Sequence, residues 1–549
     1  MLESEKNQEF GNRPNSEVRE ITDIVGSHGP WQTKVFILAF LLSFPNVWHA
    51  LVVTFLAPNM DHWCSRTSEY KNLTVSQWKN LTIPLNDNNG VKTYSTCKMY
   101  NITGITLSEG INRTIIPCDN WEYDKSDYAS TIIDEWDLVC ENDWLVSMSL
   151  SVYMSGYLVA VLVFGQLADR IGRRPVILIC ISITNIFGVL CAIAPNFLMF
   201  AAFRFFVALG VAGGLTTAFV LLIEVVGPEQ RTYLGIGIQL GWATGYLILS
   251  GLAWFIRNWR FLQLAITLPC LLMVSYWWLL PESPRFLLIH CRYQEAEKEL
   301  KKAMTMNKKD MLTLDFKFEQ LCDLVQKQNK GNSSGSCVDL VRTPSLRKKS
   351  LNIFFNWFVN SFVYYGLCFF TNDLGGDPFL NFLIAAALEF PSYLFTMFVL
   401  KHLGRKKPLM ISMILSGLGC FLSIFVPDDM PWLRVTVAMI GKFCITASFA
   451  IVYVFTAEIF PTIIRNIGVG LSSTFGRIGS IVAPFVKEIG TATTVHVPLG
   501  IFGGVAVLAG GLVYFLPETS NMPIPDTLEE AEEFGKHKAK DQEKLPLLQ

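Results

Sequence analysis

Charge is scarce in this chain: of 549 residues 17% are charged, 46 acidic and 45 basic, and no basic stripe runs along any segment. That shortage excludes a nucleic-acid partner, because phosphate backbones are held by clustered Lys and Arg. Also missing are a Gly-rich phosphate loop closed by Lys-Ser/Thr, a His-Glu-x-x-His pair and any intramembrane catalytic constellation. Neither a nucleotide-driven pump nor an enzyme is expected, and no metal and no cofactor. No cleavable leader is expected, since the first 30 residues are polar and the first apolar run is long enough to remain as an anchor. What the chain has instead is apolar bulk, 51% of its residues, gathered in runs of about twenty, the length that crosses a bilayer as a helix.

Twelve such runs are expected as spans, beginning near residues 33, 145, 176, 197, 232, 260, 350, 378, 408, 431, 467 and 496. The fold class is therefore all-α, a polytopic membrane protein of two six-helix bundles. The expected domains are a cytoplasmic tail (1–32), a first bundle (33–280) carrying an external loop (58–143), a cytoplasmic helical loop (281–349), a second bundle (350–516) and a cytoplasmic tail (517–549). Loop 281–349 has a net charge of +5 and segment 58–143 one of −6. Because Lys and Arg stay on the cytoplasmic side, both termini are placed inside. Independent chemistry agrees: 58–143 holds four glycosylation sequons, at Asn72, Asn80, Asn101 and Asn112, and four cysteines, Cys64, Cys97, Cys118 and Cys140. Four cysteines allow three disulfide pairings, and spacing does not choose among them.

A repeat underlies the spans. Glu224 and Arg231 close one apolar helix as Glu458 and Arg465 close another, 234 residues on. Gly172-Arg173-Arg174-Pro175 has a counterpart in Gly404-Arg405-Lys406-Lys407-Pro408, and Pro281-Glu282-Ser283 one in Pro517-Glu518-Thr519. Two copies of one half in a membrane point to a transporter. The turn Asp169-Arg170-x-Gly172-Arg173-Arg174, with Glu224, Arg231, Glu458 and Arg465, reads as a cytoplasmic gate of weak ionic contacts, each of about 0–1 kcal/mol. Topology alone would also demand a positive turn there.

These residues resemble a known family. The Asp169-Arg170-x-Gly172-Arg173-Arg174 turn is similar to the signature of the major facilitator superfamily. Asp134-Glu135-Trp136-Asp137-Leu138-Val139-Cys140, Pro281-Glu282-Ser283-Pro284-Arg285 and Ala457-Glu458-Ile459-Phe460-Pro461-Thr462-x-x-Arg465-Asn466-x-Gly468 resemble its organic cation, carnitine and organic anion transporters. The resemblance runs from about residue 30 to 520. It implies a central cavity open alternately to each side, and a small organic ion as substrate. A coupling ion, sodium or proton, is left open.

Polar and aromatic residues inside apolar spans mark such a cavity, since an unpaired charge in lipid is costly. Arg204, Trp357, Tyr364, Tyr365, Glu389, Lys442 and Arg477 are the candidates. Trp357 and Tyr364 lie two helical turns apart and can share a face. The resemblance makes them part of an aromatic cage for an amine, worth about 0.5–2 kcal/mol per cation–ring contact. Core packing is the plainer alternative. Glu389 needs a cationic partner or a proton, which a substrate amine, Lys442 or Arg477 would supply. Arg204 and Lys442 occupy similar places in the two halves, which suits a scaffold or gating role. By resemblance, Arg477 separates carnitine and anion carriers, which have arginine there, from pure cation carriers, which have an acid. A guanidinium offers a bidentate seat to a carboxylate, which with Glu389 and the aromatic positions points to a zwitterion, or else simply neutralises Glu389; the expected substrate is an organic cation or a carnitine-like zwitterion. Gln239 and Trp242, with Tyr246, can line the cavity from the fifth span.

Three smaller signals remain. The 281–349 loop is expected to form short amphipathic helices such as 294–304. Its Arg347-Lys348-Lys349 run suits anionic lipid or simply follows the inside rule. Glu543-x-x-x-Leu547-Leu548 resembles an endosomal sorting signal on a plasma-membrane protein. An organic anion exchanger is the alternative within transport; a channel or a non-transporting sensor is the alternative outside it.

Overall fold

The protein is described by a computed structural model. It covers residues 20–534 apart from 89–90, 102–113, 312–313, 332–335, 371–374, 428, 462, 495, 521, 523–524 and 526. Twelve long helices dominate it: α1 (Pro30–Leu51), α2 (Trp144–Ile171), α3 (Arg173–Ala192), α4 (Phe197–Val225), α5 (Pro228–Phe255), α6 (Trp259–Thr267), α7 (Pro344–Phe369), α8 (Pro378–His402), α9 (Lys406–Ile424), α10 (Pro431–Ile459), α11 (Arg465–Ala492) and α12 (His496–Val513). A turn, Val53–Leu56, prolongs α1, and α6 runs on to Leu279 through a tighter 3₁₀ stretch that begins at Leu268, beside Pro269.

Five of these helices open on proline in their first turn, where a missing N–H costs nothing. Asn196 and Asp377 cap α4 and α8 by accepting backbone N–H bonds. Among the described residues eleven helices are long and apolar enough to cross a membrane. The twelve expected spans are all present as helices, but α7 falls outside that set because Asn352, Asn356 and Asn360 recur every four residues along it. Its asparagines are spent inside the bundle: Asn352 donates to the Leu512 carbonyl (2.6 Å), and Asn360 accepts from Ser448 (2.6 Å). Large rings such as Phe255, Trp278, Phe425 and Phe515 are three-quarters or more exposed, the expected surface of a protein bathed in lipid.

Residues 58–143 form a small domain of three two-stranded antiparallel ribbons around a buried Trp78, whose Nε1 donates to the Cys64 carbonyl (2.9 Å). Of the three open pairings, the structure has Cys64–Cys118 and Cys97–Cys140. Asn72 and Asn80 are exposed and Asn101 is half-buried, while Asn112 lies outside the described residues. The domain docks on the first six helices: Trp259 N donates to the Ser130 carbonyl, and Glu135 pairs with Arg260.

At the opposite end, helix Tyr293–Met306 buries Ala296, Leu300, Ala303 and Met304, as its amphipathic pattern predicts. Asn307, just beyond it, binds the Trp31 N–H, the Val25 carbonyl and the Gln32 side chain, fixing the loop under α1. The second half has its own brace. Glu532 accepts from Ser345 N and Leu346 N at the start of α7, and Lys349 donates to the Ala531 and Phe534 carbonyls. Lys349 is therefore turned into the protein rather than toward lipid headgroups, while Arg347 and Lys348 remain exposed. The sorting-like Glu543, Leu547 and Leu548 lie outside the described residues.

Candidate functional site

The repeated sequence markers become repeated structure. Gly172 adopts φ +107° and Gly404 φ +81°, conformations that suit glycine, just ahead of α3 and α9. Both helix N-termini are seated on a carboxylate from the chain just beyond a half's last span. Glu282 accepts from Arg173 N (2.9 Å) and Arg174 N (3.3 Å); Glu518 accepts from Arg405 N (2.9 Å) and Lys406 N (3.2 Å). A negative group at a helix N-terminus satisfies orphan N–H groups and interacts favourably with the positive end of the helix dipole. Burial pushes the Glu282 carboxyl above its ordinary range, although its backbone hydrogen bonds and Arg173 pull the other way.

Gly172→Ala is expected to lower stability by about 1–3 kcal/mol, because a Cβ would stand 2.5 Å from Glu282 Oε2 at a positive φ. Gly404→Ala should cost less, its Cβ meeting the Glu518 carboxyl at 3.0 Å. Thermal unfolding of the two purified variants checks the order; equal losses would refute the steric account.

Above these caps the ionic residues pair within each half. Arg173 Nη2 bonds Asp169 Oδ1 (2.9 Å) and Glu224 Oε1 (2.8 Å), and Arg405 bonds Glu458 (3.0 Å). Arg231 turns to Glu20 (3.0 Å) rather than to Glu224, and Arg465 donates to the Phe460 carbonyl (3.3 Å). Arg170 is exposed. The Arg173–Glu224 and Arg405–Glu458 pairs thus do not bridge the halves in this conformation.

The halves meet elsewhere. At the end bearing the 58–143 domain, Ser151 donates to the Ile481 carbonyl (2.7 Å) and Ser147 to the Pro484 carbonyl (3.3 Å), joining α2 to α11. Phe55 and Tyr246 set their rings against Phe382 at 4.6 and 4.5 Å, joining α1 and α5 to α8. At the basic end a Cβ on Gly165 of α2 or on Gly470 of α11 would meet nothing within 4 Å.

Mid-bundle, a polar cluster ties α5, α7, α8 and α10 together. Trp242 Nε1 donates to Tyr364 Oη (2.9 Å), which donates to Glu389 Oε1 (2.5 Å). Lys442 Nζ lies 3.3 Å from the same oxygen, 3.5 Å from the Tyr364 ring centroid and 2.7 Å from Cys368 Sγ. Glu389 and Lys442 are buried, and Glu389 Oε2 accepts no hydrogen bond. Trp357 donates to Thr456 Oγ1 (2.8 Å) and faces Tyr453 at 4.3 Å. Trp357 and Tyr364 both reach Phe449, so they do share a face. Gln239 is half-buried one turn before Trp242 and takes no part in these bonds. Glu389 is therefore neutralised by Lys442, and Arg477 stands apart from that pair. Its guanidinium lies 5.0 Å from the Tyr157 ring, across the junction of the halves, with Tyr365 and Tyr453 beside it and Nε unbonded.

Phe449, Tyr453 and Tyr157 escaped the sequence reading. Phe449 follows Lys442 by two helical turns, a spacing that would have found it. Tyr157 precedes Gly172 by the same fifteen residues that separate Glu389 from Gly404, so the repeat held that signal too.

The profile of the family described as "Sugar (and other) transporter" matches residues 88–533. The chain is 38% identical to the organic cation transporter protein of Drosophila melanogaster, over 94% of each chain. It is 34% identical to human organic cation/carnitine transporter 2, over 93% of each. Among solved structures it resembles the proton:xylose symporter XylE bound to 6-bromo-6-deoxy-D-glucose, with TM-score 0.59 at 16% identity, over 94% of this chain and 99% of that one. The inward-open form of XylE from E. coli also aligns with TM-score 0.59, at 17% identity, over 91% of this chain and 98% of that one.

Proposed function

This chain belongs to the organic cation/carnitine transporter family of the major facilitator superfamily, and on that footing we propose that it carries a small zwitterion across the plasma membrane by alternating access. The observation that carries the substrate reading is the separation of two unlike centres. Among the described residues Arg477 has no carboxylate against it, while the Glu389 carboxylate, bonded by Tyr364 and beside Tyr393, leaves Oε2 outside the bonds to Tyr364 and Lys442. A substrate with a carboxylate at Arg477 and an ammonium toward Glu389 satisfies both. Trp242, Trp357, Phe449 and Tyr453 supply the apolar and aromatic wall. A simple cation leaves Arg477 unmatched and adds positive charge to a site that already holds Lys442.

In this reading residues 33–280 and 350–516 rock as two bodies, and the basic end faces the cytoplasm. Asp169, Arg170, Arg173, Glu224, Arg231, Glu458 and Arg465 then draw together when the site faces outward. Glycans sit on Asn72, Asn80, Asn101 and Asn112. Uptake of a matched panel of cation, zwitterion and anion, measured with and without a sodium gradient and across a proton gradient, tests the proposal. Saturable uptake ranked with the zwitterion first is expected. An anion in first place supports exchange of organic anions, flux that never saturates means a channel, and binding without uptake means a sensor.

A further inference from the structure

The two halves treat their buried cations differently. In the second, Lys442 has Glu389 at 3.3 Å. In the first, Arg204 of α4 is wholly buried, and its Nε, Nη1 and Nη2 all lack a hydrogen-bond partner. Its guanidinium lies 4.3 Å from the Tyr153 ring and 6.0 Å from the Phe200 ring. The groups that act on it are Tyr153, Cys191 and Tyr157, with His49 facing it from α1, and none is a carboxylate. Among the described residues Arg204 has no ion pair. A ring face returns about 2 kcal/mol to a desolvated cation, far less than an isolated buried charge costs.

The surroundings compound the deficit, because the neighbouring unpaired atoms are mostly donors too. Gln263 Nε2, oriented by the Gly188 carbonyl (3.3 Å) and Thr267 Oγ1 (3.4 Å), lies 3.5 Å from His49 Nδ1. An amide donor there makes Nδ1 the acceptor, which leaves the hydrogen of neutral His49 on Nε2. That nitrogen has no partner, and the Tyr153 hydroxyl has none besides the neighbouring Tyr157 hydroxyl. One acceptor nearby, Gln263 Oε1, is also unpaired, but a neutral carbonyl does not cancel a guanidinium. Around Arg204, among the described residues, a full positive charge and further N–H and O–H groups therefore stand with no carboxylate to receive them.

We propose that Arg204, with His49 and Tyr153, forms a site for a small inorganic anion of the chloride class, inside the first half and separate from the substrate centre at Arg477. A bulky organic carboxylate does not suit it, since Tyr153 and Phe200 seal the guanidinium. The site gives the first half what Glu389 gives the second, so the anion is a structural counter-ion present throughout the transport cycle.

The test uses the purified full-length chain in detergent, with chloride replaced by gluconate at constant sodium. Chloride should raise the melting temperature saturably, by about 2 °C or more, and Arg204→Met should flatten that response while Arg477→Met keeps it. Should Arg204→Met fail to fold, Tyr153→Phe and His49→Phe each remove a single donor, and each should raise the half-saturating chloride concentration about threefold or more. A flat chloride titration of the unsubstituted protein would overturn the proposal, water then serving these donors. A response that survives Arg204→Met, or one abolished by Arg477→Met, would overturn it as well. Because melting is read without substrate, the outcome does not depend on what the protein carries.

Discussion

Glu389→Ala is expected to destabilise the protein by about 3–5 kcal/mol, because it strands Lys442 as a buried cation with only ring faces and the Cys368 thiol around it. The double variant Glu389→Gln, Lys442→Met removes both charges and should recover most of that loss. Replacing a whole buried pair by neutral groups is often nearly neutral, whereas halving it is not. Thermal unfolding of the single and double variants makes the comparison. Recovery of stability without recovery of uptake would assign the pair to substrate handling as well as to folding. If the single variant is as stable as the parent protein, the pair is not a closed ionic unit and the description of this cluster fails.

Arg477→Asp carries the other large effect. It converts the guanidinium over the Tyr157 ring from a carboxylate seat into a carboxylate, so substrates bearing a carboxylate should lose at least thirtyfold in uptake efficiency. That is the scale, about 2–5 kcal/mol, on which a desolvated charge pair responds when one partner is removed. Simple organic cations should lose far less, or gain. Uptake of a carboxylate-bearing amine and of its methyl ester, normalised to surface expression, gives the ratio. An unchanged ratio would remove Arg477 from selectivity.

Much of this was readable beforehand, for identifiable reasons. The spans were legible because lipid imposes a length and a composition on every helix that crosses it. α7 was legible by length alone: its asparagines lower its apolarity and are used inside the bundle, where no pattern in one segment reveals their partners. The caps at Gly172 and Gly404 were visible as a repeat, yet their chemistry was not, since Glu282 reaches Arg173 across 109 residues of chain. The same limit applied to Glu389. Its need for a partner could be read from its position in an apolar run, but the choice of Lys442 over Arg477 depends on how α8, α10 and α11 sit around α7. The disulfide connectivity was open for a similar reason, being decided by the ribbon that pairs Cys64 with Trp121 and so brings Cys118 close.

The carboxylates that seat α3 and α9 also decide how a push would travel. In each half the chain leaving the last span is pinned back onto the third, so the six helices form a mechanically closed loop rather than an open fan. A force delivered to the helix Pro284–Ile289, two residues beyond Glu282, reaches α3 through Glu282 and through Phe286, whose ring lies 5.1 Å from the Arg173 guanidinium, without first bending α4 or α5. Regulators that grip the 281–349 segment would thereby act as levers on one half, while those that grip the far terminus would act, through Glu532, on α7 of the other.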